Sequence, residues 1–221
     1  MKKLLIWDFD GVISDTEKLW VASRLELLNR DYHLGWNFDT AKKYIGGRSD
    51  KDKKEVLRKM GLSVSDDLWN EAYQNDIERI KKGLFLTPYI ENIFKMKNID
   101  QCIATGGIWE KTKEKVYYTG ISSYFSDEKV FTVDFVKRGK PAPDLFLYAA
   151  KSMGYRPQDC VVIEDSVVGL TAALRAKMTP IAFIKYDTSY DIAEIKKLGV
   201  PYIFSDMRDV KRLLKDLLDI K

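Results

Sequence analysis

The apolar positions of this chain follow two regimes. Leu4, Leu5, Ile6 and Trp7 run without a polar break, the pattern of a short strand covered on both faces. From about residue 99 onward, apolar runs alternate with stretches of helical spacing. These are "IDQCIAT", a helix from Ile108 to Thr119, "KVFTV", a helix from Asp144 to Met153, "CVVIED", a helix from Val167 to Lys177, "TPIAFI", a short helix, "YIF" and a closing helix to Leu218. Strand and helix in alternation predict an α/β domain built on a parallel sheet, to which the first strand, ending at Asp8, also belongs.

Between them, residues 15–83 offer no strand pattern and read as helices over Thr16 to Arg30, Asp50 to Met60 and Asp66 to Lys82. The expected organisation is a discontinuous core, 1–14 with 84–221, and an inserted helical domain, 15–83. Ser14 stands three residues before Glu17, the spacing of a capping box, and Ser65 suits an N-cap. "GLFLTP", closed by Pro88, reads as the return to the core. Trp20 and Trp36 read as core of the insert, with Trp20 alternatively facing the cleft to stack on a sugar ring.

Composition narrows the class. The 221 residues are 45% hydrophobic and 32% charged, and no apolar run approaches the roughly 20 residues of a membrane helix. The basic start Met1-Lys2-Lys3 precedes an apolar stretch too short for a secretory signal and ending in acid. Cys102 and Cys160 fall inside predicted strands with no CxxC spacing, as core thiols of a cytoplasmic protein. The net charge of +4 is spread along the chain, so neither nucleic acid nor membrane is expected as a partner.

Chemistry gathers at the predicted strand ends, where open parallel sheets bind ligands. The first strand leads into Asp8 and Asp10, two carboxylates on one side of an extended chain, which call for a cation, a shared proton or open water. "CIATGG" ends in Thr105, whose hydroxyl, with the N–H groups of Gly106 and Gly107, could hold phosphate oxygens or cap the next helix. "RGKPAPD" places Lys140 on a proline-stiffened loop, and "VVIEDS" adds Glu164 and Asp165. Four acids and a lysine at one sheet edge suit a hard divalent cation, Mg²⁺ first. Beside it Asp8 could attack phosphorus while Asp10 protonates the leaving oxygen and later takes a proton from water.

"DFDGVISDT", "IATGG", "GKPAPDLF" and "VVIEDSVVGL" resemble, in order, the four motifs of the haloacid dehalogenase-like hydrolase superfamily, over nearly the whole chain. The insert is similar to the small helical cap of the subgroup containing β-phosphoglucomutases and sugar-phosphate phosphatases. The resemblance implies a Rossmann-like core with an α-helical cap, Asp8 as a nucleophile forming an aspartyl-phosphate, and Asp10 as general acid and base. It also implies phosphate binding by Thr105 and Lys140, and Mg²⁺ between Asp8, the Asp10 carbonyl and Asp165, with Glu164 nearby. "KKYIGGRSDKD", 42–52, resembles the family's substrate-specificity loop, so Arg48 either meets a substrate carboxylate or hydroxyl or faces solvent.

His33, the one histidine, lies in the insert, away from any Ser-His-Asp arrangement, and reads as structural. There is neither a Walker loop nor GxGxxG. Lys177 stands where relatives commonly have glycine, and Trp20 where β-phosphoglucomutases carry a cap histidine. Dehalogenases and phosphonate hydrolases of the superfamily lack an acid at the position of Asp10. The expectation is a Mg²⁺-dependent phosphatase of a small phosphorylated metabolite, a sugar or sugar-acid phosphate, working as a monomer or weak homo-oligomer. The rivals are a phosphosugar mutase and a non-catalytic binding protein.

Overall fold

The computed structural model describes residues 3–46, 50–185 and 192–217. Six strands, β1 (Leu4–Trp7), β2 (Asp100–Thr105), β3 (Val130–Thr132), β4 (Cys160–Glu164), β5 (Thr179–Phe183) and β6 (Tyr202–Phe204), form one sheet in the order β3-β2-β1-β4-β5-β6. Every pairing is parallel, so all six carboxyl ends reach the same edge. The order turns back between β1 and β4, and that switch point leaves a crevice beyond the strand ends.

Both faces of β1 are covered, as its unbroken apolar run requires. Leu4 and Ile6 join Cys102, Ala104, Cys160 and Val162 in a core closed by α7 (Asp144–Ser152) and α8 (Val167–Arg175). Trp7 meets the ring of Phe94 edge-on at 5.3 Å, and its indole N–H donates to Gln101 Oε1 at 3.0 Å. Phe94 closes the short α5 (Glu91–Phe94), and among the described residues the remaining α-helices of the sheet unit are α6 (Trp109–Tyr118), α9 (Ile192–Lys197) and α10 (Met207–Leu217). Both cysteines are buried and free.

Backbone contacts divide the chain into two compact units, Met1–Asp15 with Phe85–Lys221, and Thr16–Leu84. The second unit holds α1 (Glu17–Tyr32), α2 (Phe38–Ile45), α3 (Asp50–Lys59) and α4 (Asp66–Lys81). Its core joins Val21, Leu27, Leu28, Ile45, Leu57 and Trp69, and Trp36 lies stacked on Tyr44 at 5.2 Å. Arg24, buried in this unit, donates to both oxygens of Asp76 at 2.6 Å. His33 caps the carboxyl end of α1 in the left-handed conformation, its N–H on the carbonyl of Asn29 at 3.2 Å. Trp20 is half-buried.

Three sequence expectations change. The first strand ends at Trp7, one residue early, although the Asp8 N–H still reaches the carbonyl of Ile163 at 3.0 Å. The Ser14 capping box does not form: Thr16 is the N-cap of α1 and makes no side-chain cap bond, while the Ser14 hydroxyl donates to the carbonyl of Phe85 at 2.8 Å. Ser14 is instead part of a clamp where the chain leaves and rejoins the sheet unit, together with the Thr87 hydroxyl on the carbonyl of Val12 at 2.6 Å. The third change is α2, a helix the sequence reading lacked, started by Asn37, whose side chain accepts from the N–H of Thr40 at 2.9 Å. Ser65 does cap α4, accepting from the N–H of Leu68 at 3.2 Å. Leu218, the expected end of the closing helix, lies outside the described residues.

Candidate active site

The site is assembled from the carboxyl ends of β1, β2 and β4 and from the loop that follows β3. Just past β1, Asp8 is 5% exposed and lies beside Lys140, whose ammonium donates to Asp8 Oδ1 at 2.6 Å and to Glu164 Oε1 at 2.8 Å. Lys140 is itself buried, its Nζ 4.8 Å from the centre of the Phe146 ring. A single ammonium thus ties together the ends of two adjacent strands.

Glycines make the packing of the acids possible. Gly11 has φ +83°, and a Cβ there would stand 1.9 Å from Asp165 Oδ2. The turn after Asp10 therefore needs glycine both for its conformation and for the approach of Asp165. A Cβ at Gly169, on the first turns of α8, would stand 1.8 Å from Glu164 Oε1. With that space open, Glu164 also accepts from the N–H and hydroxyl of Ser166 at 2.7 and 2.8 Å. The Ser166 hydroxyl in turn accepts from the N–H of Gly169 and caps α8.

One carboxylate oxygen from each of Asp8, Glu164 and Asp165 can be chosen so that all lie within 4.8 Å of one another. Burial, opposed by Lys140 and reinforced by Glu164 and Asp10, pushes the Asp8 carboxyl up to about 7. Burial, with repulsion from Glu164 and Asp8, also holds Asp165 well above the usual carboxylate range. Lys140 is raised too, which for a base favours the charged form: burial works against its charge, but Asp8 and Glu164 more than offset that.

Asp10 belongs to a second charge pair. Both of its oxygens accept from the ammonium of Lys115, on α6, at 2.9 and 2.7 Å. The Thr105 hydroxyl makes a long contact to Asp10 Oδ2 at 3.5 Å and accepts from the N–H of Gly107 at 3.3 Å. Gly106 is exposed beside it. Thr105 does not cap α6. That helix starts after Ile108, and the N–H of Trp109 donates to Asp134 Oδ2 at 2.6 Å. Arg48 lies outside the described residues.

Asp8, Asp10, Thr105, Lys140, Glu164 and Asp165 therefore gather at one edge of the sheet. Sequence reasoning missed Lys115 and Ser166. The signal for Lys115 was its spacing with Thr112 and Val116, which places a lysine on the buried stripe of a helix. Ser166 showed itself only as a residue before an apolar helical run.

The donor set is all oxygen and carries excess negative charge. Asp8, Asp10, Glu164 and Asp165 face Lys115 and Lys140, four acids against two ammonium groups, a difference of two charges when all are ionised. Hard carboxylate oxygens with that excess fit a divalent ion of the Mg²⁺ type.

Comparison with known proteins places this arrangement. Residues 5–183 match the family described as haloacid dehalogenase-like hydrolase. A phosphorylated carbohydrates phosphatase of Thermotoga maritima is 29% identical over 180 residues, 78% of this chain and 80% of that protein. A CBBY-like protein of Arabidopsis thaliana is 28% identical over 195 residues, 79% of this chain but 61% of its own length, less than two thirds of that relative. Among solved structures, a haloacid dehalogenase-like protein of unknown function from Agrobacterium tumefaciens superposes with a TM-score of 0.83 at 22% identity, covering 98% of this chain and 99% of that one. Because the family match runs from within β1 to the last residue of β5, this chain belongs to the haloacid dehalogenase-like hydrolases.

Proposed function

We propose that this enzyme is a Mg²⁺-dependent phosphatase that removes phosphate from a small sugar or sugar-acid phosphate through an aspartyl-phosphate on Asp8. One observation carries the reading: Lys140 joins Asp8 to Glu164 within a carboxylate cluster that also includes Asp165. An aspartate held against an ammonium, among further acids, is equipped to bring an anionic nucleophile and an anionic phosphate together once a cation is present.

In this reading Asp8, Asp165 and the backbone carbonyl of Asp10 would hold the ion, with Glu164 nearby. The bound ion offsets charge between nucleophile and phosphate. Lys140 orients Asp8 and stays charged, so part of that countercharge belongs to the protein itself. Asp8 attacks phosphorus as the bond to the leaving oxygen breaks, and Asp10 gives that oxygen a proton. Water then attacks the same phosphorus, Asp10 takes its proton, and the bond to Asp8 breaks. The Thr105 hydroxyl and the turn at Gly106 and Gly107 receive the phosphate oxygens.

The choice of substrate class draws on the name of the Thermotoga relative, which refers to phosphorylated carbohydrates. Trp20 stands where the resemblance sets the histidine of the β-phosphoglucomutases, which favours hydrolysis over return of the phosphate to a second sugar hydroxyl. Arg48 is proposed as the contact to the part of the substrate distant from phosphorus. A phosphate-release screen over phosphorylated sugars and sugar acids tests the reading. Release should occur with Mg²⁺, stop with excess chelator and recover when Mg²⁺ is restored. Full activity in chelator would remove the metal from the proposal, and silence across the panel would remove the substrate class.

A further inference from the structure

Lys115 is a cation for which the reading above has no use. It sits on the buried face of α6 with Thr112 and Val116, its side chain 1% exposed, while that of Asp10 is 34% exposed. The ammonium therefore meets Asp10 from inside the protein, while part of the carboxylate side chain reaches the surface. Its Nζ also lies 4.5 Å from the centre of the buried Phe9 ring.

An ion pair with one fully buried partner is weak support for a fold, because desolvation of the buried charge offsets much of the attraction. What such a pair does supply is position. With both oxygens of Asp10 on one ammonium, the carboxylate cannot turn without losing a charge-assisted bond. A second polar group lies close by. A Cβ at Gly107 would stand 3.1 Å from Thr112 Oγ1, 3.5 Å from Lys115 Nζ and 3.8 Å from Thr105 Oγ1, and the Thr112 hydroxyl is buried with no hydrogen-bond partner among the described residues. Three polar heads thus converge beneath the turn next to Asp10, in a place where an ordinary helix would bury apolar side chains.

We propose that Lys115 is a positioning residue for Asp10, holding its carboxylate where it exchanges protons with the leaving oxygen and with the attacking water. The inference rests on the proposed role of Asp10. Its consequence is sharpest in the second half-reaction. There the water oxygen bonds to phosphorus, the bond from phosphorus to Asp8 breaks, and the water proton passes to Asp10, leaving inorganic phosphate and a free Asp8 carboxylate. The first half-reaction with 4-nitrophenyl phosphate needs no such proton, because nitrophenolate leaves as the anion.

The test is rapid-quench kinetics on Lys115→Met and Lys115→Gln with 4-nitrophenyl phosphate and Mg²⁺, alongside wild type. In Lys115→Met the release of the first equivalent of nitrophenolate should stay within about threefold of wild type. Steady turnover should fall by about 10- to 100-fold, the lower part of the range for acid–base catalysis, so that phosphorylated enzyme accumulates. Lys115→Gln keeps a donor and should retain more turnover than the methionine variant. Equal slowing of both phases, unchanged turnover in both variants, or unfolding of both would overturn the inference. Absence of phosphate release and of phosphorylated enzyme in wild type is a different outcome, and overturns the phosphatase reading on which it rests.

Discussion

Asp8 and Asp10, two residues apart in the chain, are held by different ammonium groups from different parts of the fold. That separation predicts different failures. Asp8→Asn removes the nucleophile, and turnover should fall by more than about a thousandfold, with no phosphorylated protein detectable by mass. Asp10→Asn keeps Asp8 and Lys140 in place, so it should lose about 10²- to 10⁴-fold in turnover and still take up a beryllium fluoride mimic at Asp8. Retention of most activity by Asp8→Asn would exclude the covalent route. At this scale the acids were legible in the sequence because each follows an apolar run and precedes a turn or helix, and Lys140 because it stands on the proline-stiffened loop after the third strand. Lys115 was not, because a lysine on a helix reads as solvated unless the whole stripe on which it lies is followed.

Among the elements, those defined by local chemistry could be read and those defined by distant partners could not. The alternation after residue 99 needed only period and punctuation to yield five of the six parallel strands, and the unbroken apolar run at Leu4–Trp7 supplied the sixth. The start of α1 was misread because Ser14 finds its acceptor 71 positions away, at the carbonyl of Phe85, a competitor no local pattern contains. The short α2 was overlooked although Phe38, Ala41 and Ile45 stand at helical spacing, because eight residues span little more than two turns and are too few for the period alone to settle. The carboxyl end of α8 illustrates the opposite case. The N–H of Met178 returns to the carbonyl of Ala173 at 3.1 Å and that of Lys177 to Leu174 at 2.9 Å, a Schellman closure, and Lys177 takes φ +59°. Glycine is the usual residue at that position. A left-handed non-glycine residue costs roughly 1–2 kcal/mol, against about 0.5–1 kcal/mol for the added chain entropy of glycine. Lys177→Gly should therefore raise stability by about 0.5–1 kcal/mol, read as a higher denaturant midpoint with unchanged m-value. A lower midpoint would mean that the lysine side chain stabilises more than its backbone strains.

For the whole molecule, the cluster of acids at the sheet edge makes stability depend on pH and on the cation together. Asp8 is pushed up to about 7 in the folded protein, from an ordinary value near 4, and Asp165 is raised as well. Below about pH 4 both folded and unfolded chains hold these protons, and their full contribution to stability is present. Between about 4 and 7 the unfolded chain has lost protons that the folded one keeps, so stability falls as pH rises, and the loss is complete once the folded carboxyls ionise. The surface acids Asp31, Glu55, Asp66, Glu71 and Asp206 are lowered by their basic partners and have the opposite sign, but their contribution is lost only as pH falls through their lowered values, outside this window. A divalent cation binding only the folded state adds RT ln(1 + [L]/Kd), about 2.7 kcal/mol at a hundredfold excess over Kd, and it binds best when the carboxylates are ionised. The chelated protein should therefore melt at a lower temperature at pH 8 than at pH 5, and added Mg²⁺ should raise the melting temperature more at pH 8 than at pH 5. Thermal melts of wild type and Asp165→Asn in chelator and in Mg²⁺ measure both effects. The variant, with one fewer buried acid, should show a weaker fall with pH in chelator and a smaller response to Mg²⁺. A Mg²⁺ increment that is the same at both pH values, or untouched in Asp165→Asn, would separate the cation from this cluster.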